Sequence, residues 1–256
     1  GGRGWVRTGV DADGDVDLDD GSTRAVDTPR PGPDDDRDTE VTAALVADAV
    51  DDGGQGLAFV RSRREAESLA ARLAEEPGLR GRYGGGPAGV GDRSREQDAD
   101  EGTRGDDPPG PRFAEQVRER GGTETGRRLA AAVEAGVAFH HAGLSSDHRA
   151  LVESAYRNRD LGVICATPTL AAGVNVPARR VVVRDLERYT GEEMAPLPTP
   201  EVHQMCGRAG RPHLDPYGEA VLVAADADPA AVRERYVDAG PEAIESQLTE
   251  REALRT

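Results

Sequence analysis

No lysine occurs among the 256 residues of this sequence. Its 32 basic residues are therefore all arginine, set against 48 Asp and Glu, for a formal net charge of −16. An acidic surface without lysine fits a protein that stays soluble at very high salt; high-GC codon usage is the plainer alternative. Strong screening removes net charge as a guide to partners, so the acidic total does not exclude nucleic acid. The missing lysine does exclude a Gly-rich loop whose lysine reaches the phosphates of a nucleoside triphosphate.

Cysteine is scarce too. Cys165 and Cys206 lie far apart in apolar or glycine-rich settings, which suggests a reducing cytoplasm rather than a disulfide framework. No apolar run is long enough to span a membrane and no signal peptide is recognisable. The expectation is a soluble, cytoplasmic protein with no membrane partner. Leu, Ile, Val and Phe total 46 of 256 residues, a share at the edge of the disorder-prone range. They are clumped, however, so the average misleads.

The clumps alternate between two patterns. GLAFV (56–60), VAFHHAG (137–143), LGVICAT (161–167), RRVVVRD (179–185) and GEAVLVAA (218–225) are short apolar runs that read as buried strands. Between them, TEVTAALVADAVDDGG, SRREAESLAARLAEE, GRRLAAAVEAG, SSDHRALVESAYRN and PEVHQMCGRAG carry helical spacing, with Ser62 and Ser145 or Ser146 as N-caps. TLAAGVNVPA reads as a loop with helical character. Strands alternating with helices, apolar on both faces, predict an α/β fold with a parallel sheet. Residues 1–39 read as a small opening hairpin and linker, 40–228 as the main domain, and 229–256 as the start of a further region. Within the domain, residues 80–126 hold few large apolar residues and read as a low-complexity, disordered insertion with one short helix, FAEQVRER.

Several motifs have duller readings. GGGPAG (84–89) matches a dinucleotide fingerprint in letters only, because no strand precedes it and no helix follows. His140, His141, His148 and the two cysteines match no common ligand spacing, so no metal site is expected. MCGRAGRP (205–212) is different. It sets Arg208 and Arg211 three apart in a frame of glycines, two guanidinium forks that a short helix end would place on one face. FVRSRREAE, FHHAGL, ATPTLAAGVNVPA and QMCGRAGRP all fall at strand ends or helix starts, where open α/β sheets bind ligands.

Through GVAFHHAGL, ATPTLAAGVNVPARRVVVRD and GRAGRPHLDPYGEAVLVA the chain resembles the superfamily-two DExH helicases. Within them it is most similar to archaeal DNA-repair helicases related to the helicase part of polymerase theta. The resemblance implies the second of two RecA-like motor domains, working with ATP and Mg²⁺. It assigns Gln204, Arg208 and Arg211 to the catalytic motif facing the nucleotide cleft, the two arginines reaching the γ-phosphate. Gly173 and Asn175 would lie near the nucleotide. Ser62, Arg63, Thr167 and, less directly, His141 would meet the translocating strand. In such helicases a β-hairpin that parts the duplex occupies the position of RDLERYTGEEMAPLPT (184–199), with Tyr189 and Met194 as its apolar tip; a plain connecting loop is the alternative. The implied partners are single-stranded or forked DNA, travelled 3′ to 5′, and a first RecA-like domain carrying the P-loop, the DExH motif and the Mg²⁺ ligands. Neither motif, nor the family's winged-helix and ratchet domains, is in this sequence. The expectation is a longer natural protein or a truncated product, with no ATP hydrolysis by the chain alone. A nucleic-acid-binding or regulatory remnant and an RNA helicase domain are the other readings.

Overall fold

The computed structural model describes residues 15–17, 23–25, 36–84, 108–173, 176–211, 214–215, 217–224 and 227–238. The opening hairpin is there: β1 (Asp15–Asp17) pairs antiparallel with β2 (Thr23–Ala25). Helix α1 (Arg37–Asp51) follows, capped by Asp36, whose carboxylate accepts the Asp38 N–H. All five apolar runs form strands: β3 (Gly56–Phe59), β4 (Val137–His140), β5 (Val163–Ala166), β6 (Arg180–Val183) and β9 (Glu219–Leu222). They make one sheet in the order β4-β5-β3-β6-β9, every neighbour parallel. Every residue of the first four is buried, as a sheet covered on both faces requires. This is the RecA-like α/β architecture expected.

Local chemistry sets the helix starts. Ser62 opens α2 (Arg63–Leu73) and Ser145 opens α6 (Ser146–Arg157), each hydroxyl accepting the backbone N–H three residues on. Thr123 does the same for α5 (Glu124–Val133). Helix α1 lies against β3 and β6, α2 against β4 and β5, and α5 against α2 and β4. The short α7 (Thr169–Gly173) contacts α8 (Thr199–Cys206), which packs on β6.

The proposed insertion is narrower than 80–126. Residues 77–83 form α3 (Pro77–Tyr83) and residues 109–119 form α4 (Pro109–Glu119). Tyr83, Phe113, Ala114 and Val117 enter the common core. Phe113 and Val117 fall four apart and Ala114 and Val117 three apart, so these three suffice to seat α4 on α5. Residues 85–107, with the GGGPAG stretch except Gly84, lie outside the described residues. The stretch after β6 forms a hairpin, β7 (Glu187–Tyr189) with β8 (Met194–Pro196), and Tyr189 faces Met194 in its register. Beyond β9, α9 (Pro229–Tyr236) packs on α8: Tyr236 is buried, and its carbonyl lies 2.7 Å from His203 Nε2. Residues 239–256 lie outside the described residues.

Candidate nucleotide and nucleic-acid surfaces

The strand order reverses around β3, with β5 on one side and β6 on the other. The crevice beyond the carboxyl ends of those strands is where such sheets bind ligands. Ser62 and Arg63 follow β3, His141 follows β4 and Thr167 follows β5. These four expected nucleic-acid residues therefore share one edge. Arg63 is exposed and makes no ion pair with any described residue. The Thr167 N–H donates to the His140 carbonyl at 3.3 Å, and its hydroxyl lies 3.0 Å from that of Thr169.

A part-buried ionic lattice centred on buried Arg184 lies at this edge. Arg184, at the end of β6, donates to Asp185 (2.9 Å) and Thr39 Oγ1 (3.0 Å) and lies 3.0 Å from Glu65. Asp185 in turn accepts the backbone N–H of Arg61 at 3.0 Å. The loop carrying Ser62 and Arg63 is thus tied to β6 and to the start of α1.

His141 is packed into the turn that follows β4. It is 2% exposed, its ring stacks on Phe139 at 5.3 Å between centroids, and its Nδ1 accepts the Gly143 N–H. The ring proton therefore sits on Nε2, 3.3 Å from Glu67. A ring so placed shapes the turn beside Arg63. His140 pairs with Glu153 and His148 with the Val117 carbonyl, so the three histidines are spent on three separate partners. Both cysteines are free and buried, and burial pushes the Cys206 thiol up to about 12.

Burial lowers the pKa of His140 and of His141 below the usual 6.5, more than Glu153 and Glu67 raise them. A histidine depressed in the folded state binds its proton more readily when unfolded. Its stabilising contribution is thus full above about 6.5 and is lost as pH falls through the folded value. The melting temperature should decline on acidification from pH 8 through this range, and less steeply in a His140→Gln/His141→Gln chain. A wild-type melting temperature that rises over the same interval contradicts this.

The arginine loop sits apart from that edge. Helix α8 ends at Cys206 with Gly207 as its cap, and Gly210 turns the chain with φ +90°. Gly218 permits the tight return: a Cβ there would lie 2.3 Å from the Gly210 nitrogen. Because the helix stops before Arg208, the two arginines do not share a helical face, contrary to the spacing. Arg208 is half-buried and donates to the Ala171 carbonyl in α7. Gln204 is exposed on α8. Arg208 thereby adjoins the helix ending in Gly173, although Asn175 lies outside the described residues. Arg211 turns inward and is 4% exposed. Its Nε and Nη2 donate to the two oxygens of Asp215 at 2.7 and 2.5 Å, and Nη1 to Gln55 Oε1 at 2.6 Å. Burial opposes its charge, but the bonds and field of Asp215 hold its pKa above the usual arginine value.

The structure adds Asp215, Gln55, Arg184 and Asp185 to the residues expected from sequence. Two had signals. Arg211 and Asp215 stand four apart in RPHLD, and Gln55 is the lone long polar side chain in GGQGLAFV. At the hairpin, Tyr189 is 65% exposed and Met194 43%. Among the described residues no helix is long and apolar enough to cross a membrane.

Comparison with known proteins gives this geometry a context. Residues 117–213 match the helicase conserved C-terminal domain. The chain is 42% identical over 214 residues to the ATP-dependent DNA helicase Hel308 of Methanocella arvoryzae, covering 83% of this chain and 26% of that protein. It is 38% identical over 211 residues to that of Pyrococcus horikoshii (82% and 26%). With that of Pyrobaculum calidifontis it shares 40% over 255 residues (98% and 31%). The chain thus spans between a quarter and a third of the length of these relatives.

Proposed function

We propose, from the premise that this chain carries the C-terminal RecA-like motor domain of a superfamily-two helicase of the archaeal Hel308 kind, that it grips single-stranded DNA and closes one side of an ATP cleft. The cleft's other side is a first motor domain, which supplies the P-loop lysine and the Mg²⁺ ligands. Gln204 and Arg208, beside the helix ending in Gly173, face the nucleotide, with Asn175 following in the same loop. On hydrolysis the two domains step the strand along the carboxyl edge of the sheet. Travel 3′ to 5′, action on forked DNA, a role in DNA repair in the cytoplasm and adaptation to salt rest on the resemblance and on the acidic, lysine-free composition. The exposed Tyr189–Met194 tip is the wedge on the last base pair.

The observation that carries this reading is the meeting of Ser62, Arg63 and Thr167 on one edge, with Arg63 unpaired among the described residues. A hydroxyl at a helix start and a fork beside it hold a phosphate without reading a base. The test is anisotropy with a labelled oligothymidylate across a salt series. Affinity should fall with salt and be indifferent to base sequence. Arg63→Met should weaken every sequence alike and flatten the log–log salt slope by about 0.7, one phosphate's share. Salt-independent binding, or an unchanged slope in that variant, would sink the reading. Tighter binding of an oligouridylate would move the substrate to RNA.

A further inference from the structure

We propose that the amino-terminal edge of the sheet carries a carboxylate-binding site whose cation is Arg179. The inference stands apart from the helicase reading, which places the DNA strand at the opposite, carboxyl edge.

The site is assembled from three neighbouring strand entries. Arg179 is the residue before β6, and its carbonyl accepts the Glu219 N–H at 2.9 Å. It is 7% exposed. Its stem lies on Gly54, two residues before β3. A Cβ at that glycine would stand 2.6 and 2.7 Å from Arg179 Cβ and Cγ, so no larger residue fits beneath the stem. The guanidinium lies under Tyr217, two residues before β9, with 3.7 Å from its carbon to the ring centroid. Floor, cation and roof thus come from the entries of β3, β6 and β9, which adjoin in that order.

What the cation lacks is a counter-charge. Among the described residues the Arg179 side chain makes no hydrogen bond or ion pair, and its Nε is sealed from solvent without an acceptor. Other arginines of this region are matched: Arg180 has Glu219 and Asp48, and Arg211 has Asp215. Those carboxylates are committed, and Arg179 is left over. Burying an ion without a partner is costly, and such groups in folded proteins call for an explanation. A binding residue awaiting its ligand is one, since function is often kept at the expense of stability.

The ring above selects the kind of anion. Tyr217 covers a face of the guanidinium, so the N–H groups, which lie in its plane, are met edge-on. A flat carboxylate enters in that plane and accepts two parallel bonds. A tetrahedral phosphate would turn an out-of-plane oxygen toward the ring, whose π face is negative. Tyr217 is 43% exposed, so the roof borders solvent.

The experiment is thermal unfolding of the whole chain, wild type and Arg179→Met, in sodium chloride, acetate or phosphate at pH 7 and one ionic strength. In chloride the variant should melt no lower than wild type, because methionine keeps the stem on Gly54 and removes an unpaired buried ion. An arginine serving the fold alone would behave oppositely. Acetate at about ten times its dissociation constant should raise the wild-type melting temperature by roughly 3–6 °C more than the variant's. The variant subtracts the general effect of the salt. A blocked pentapeptide whose single carboxylate is a central glutamate separates two sources. A shift with the peptide assigns the site to an acidic side chain of a protein surface; a shift with acetate alone assigns it to a small free acid. Arg179→Met that melts well below wild type, or does not fold, overturns the inference. So do equal acetate increments in the two chains. A phosphate increment larger than that of acetate, and lost in the variant, overturns the choice of carboxylate.

Discussion

ATP turnover is expected only when the chain is mixed with a motor domain that carries a P-loop, and Arg208→Met is expected to reduce it at least about a thousandfold. The first half follows from composition. A P-loop positions the β- and γ-phosphates with a lysine, and no lysine occurs in these 256 residues. The second half follows from where Arg208 stands. Its guanidinium rests on the carbonyl of Ala171, one turn before the loop that the resemblance assigns to the nucleotide. Charge developing on the transferred phosphoryl group is stabilised best by donors already in place, and one such arginine is worth about 4 kcal/mol or more. Methionine keeps the aliphatic stem and removes the fork. Arg208→Lys should recover part of the rate at most, since a point charge cannot make two parallel bonds. Steady-state hydrolysis stimulated by single-stranded DNA is the measurement. Turnover by the chain alone, or an Arg208→Met mixture running at the wild-type rate, would refute the assignment.

The contrast between Arg208 and Arg211 marks where reading the sequence succeeds and where it stops. Periodicity located all five strands of the sheet, because each is a short apolar run, and four of the five are buried along their whole length. The cap of α2 at Ser62, and that of α6 to within Ser145 or Ser146, were legible because the capping bond is local, a hydroxyl to an N–H three residues on. The meeting of Ser62, Arg63 and Thr167 at one edge was legible too, since a parallel sheet sends every strand end the same way. The fate of Arg211 was not. Its partner Asp215 stands only four residues on, but its other partner Gln55 is 156 residues away. Spacing alone cannot tell a fork aimed at a ligand from one aimed into the core. The partner of His141 is likewise remote in sequence, Glu67 lying 74 residues earlier. Helix α4 is underestimated because composition averaged over 80–126 hides Phe113, Ala114 and Val117 among polar residues. Exposed function and buried polar architecture use the same residue types, and only the fold assigns them.

The largest expected loss of stability comes from another arginine of the buried architecture, Arg180. It is the first residue of β6 and faces Glu219, the first residue of β9, in the sheet register. Both are buried, and Arg180 Nε donates to Glu219 Oε2 at 2.8 Å. Nη1 crosses to α1, reaching the Leu45 carbonyl at 2.6 Å and Asp48 Oδ2 at 2.7 Å. One side chain thus binds the edge strand, its inner neighbour and the helix covering them. Arg180→Met should cost about 3–5 kcal/mol, since Glu219 would keep its charge in the interior with no cation beside it. For a chain of this size that lowers the melting temperature by roughly 6–20 °C. Salt should rescue little of it, because buried pairs are weakly screened. Loosening β9 also matters to the cleft, since Gly218 packs against Gly210 immediately before this strand. The variant Arg180→Met/Glu219→Leu separates two causes. If the isolated carboxylate carries the cost, the double variant melts well above Arg180→Met. If it melts no higher, the cost lies in the link to α1 through Leu45 and Asp48, and that crossing, more than the pair, holds β9 in the sheet.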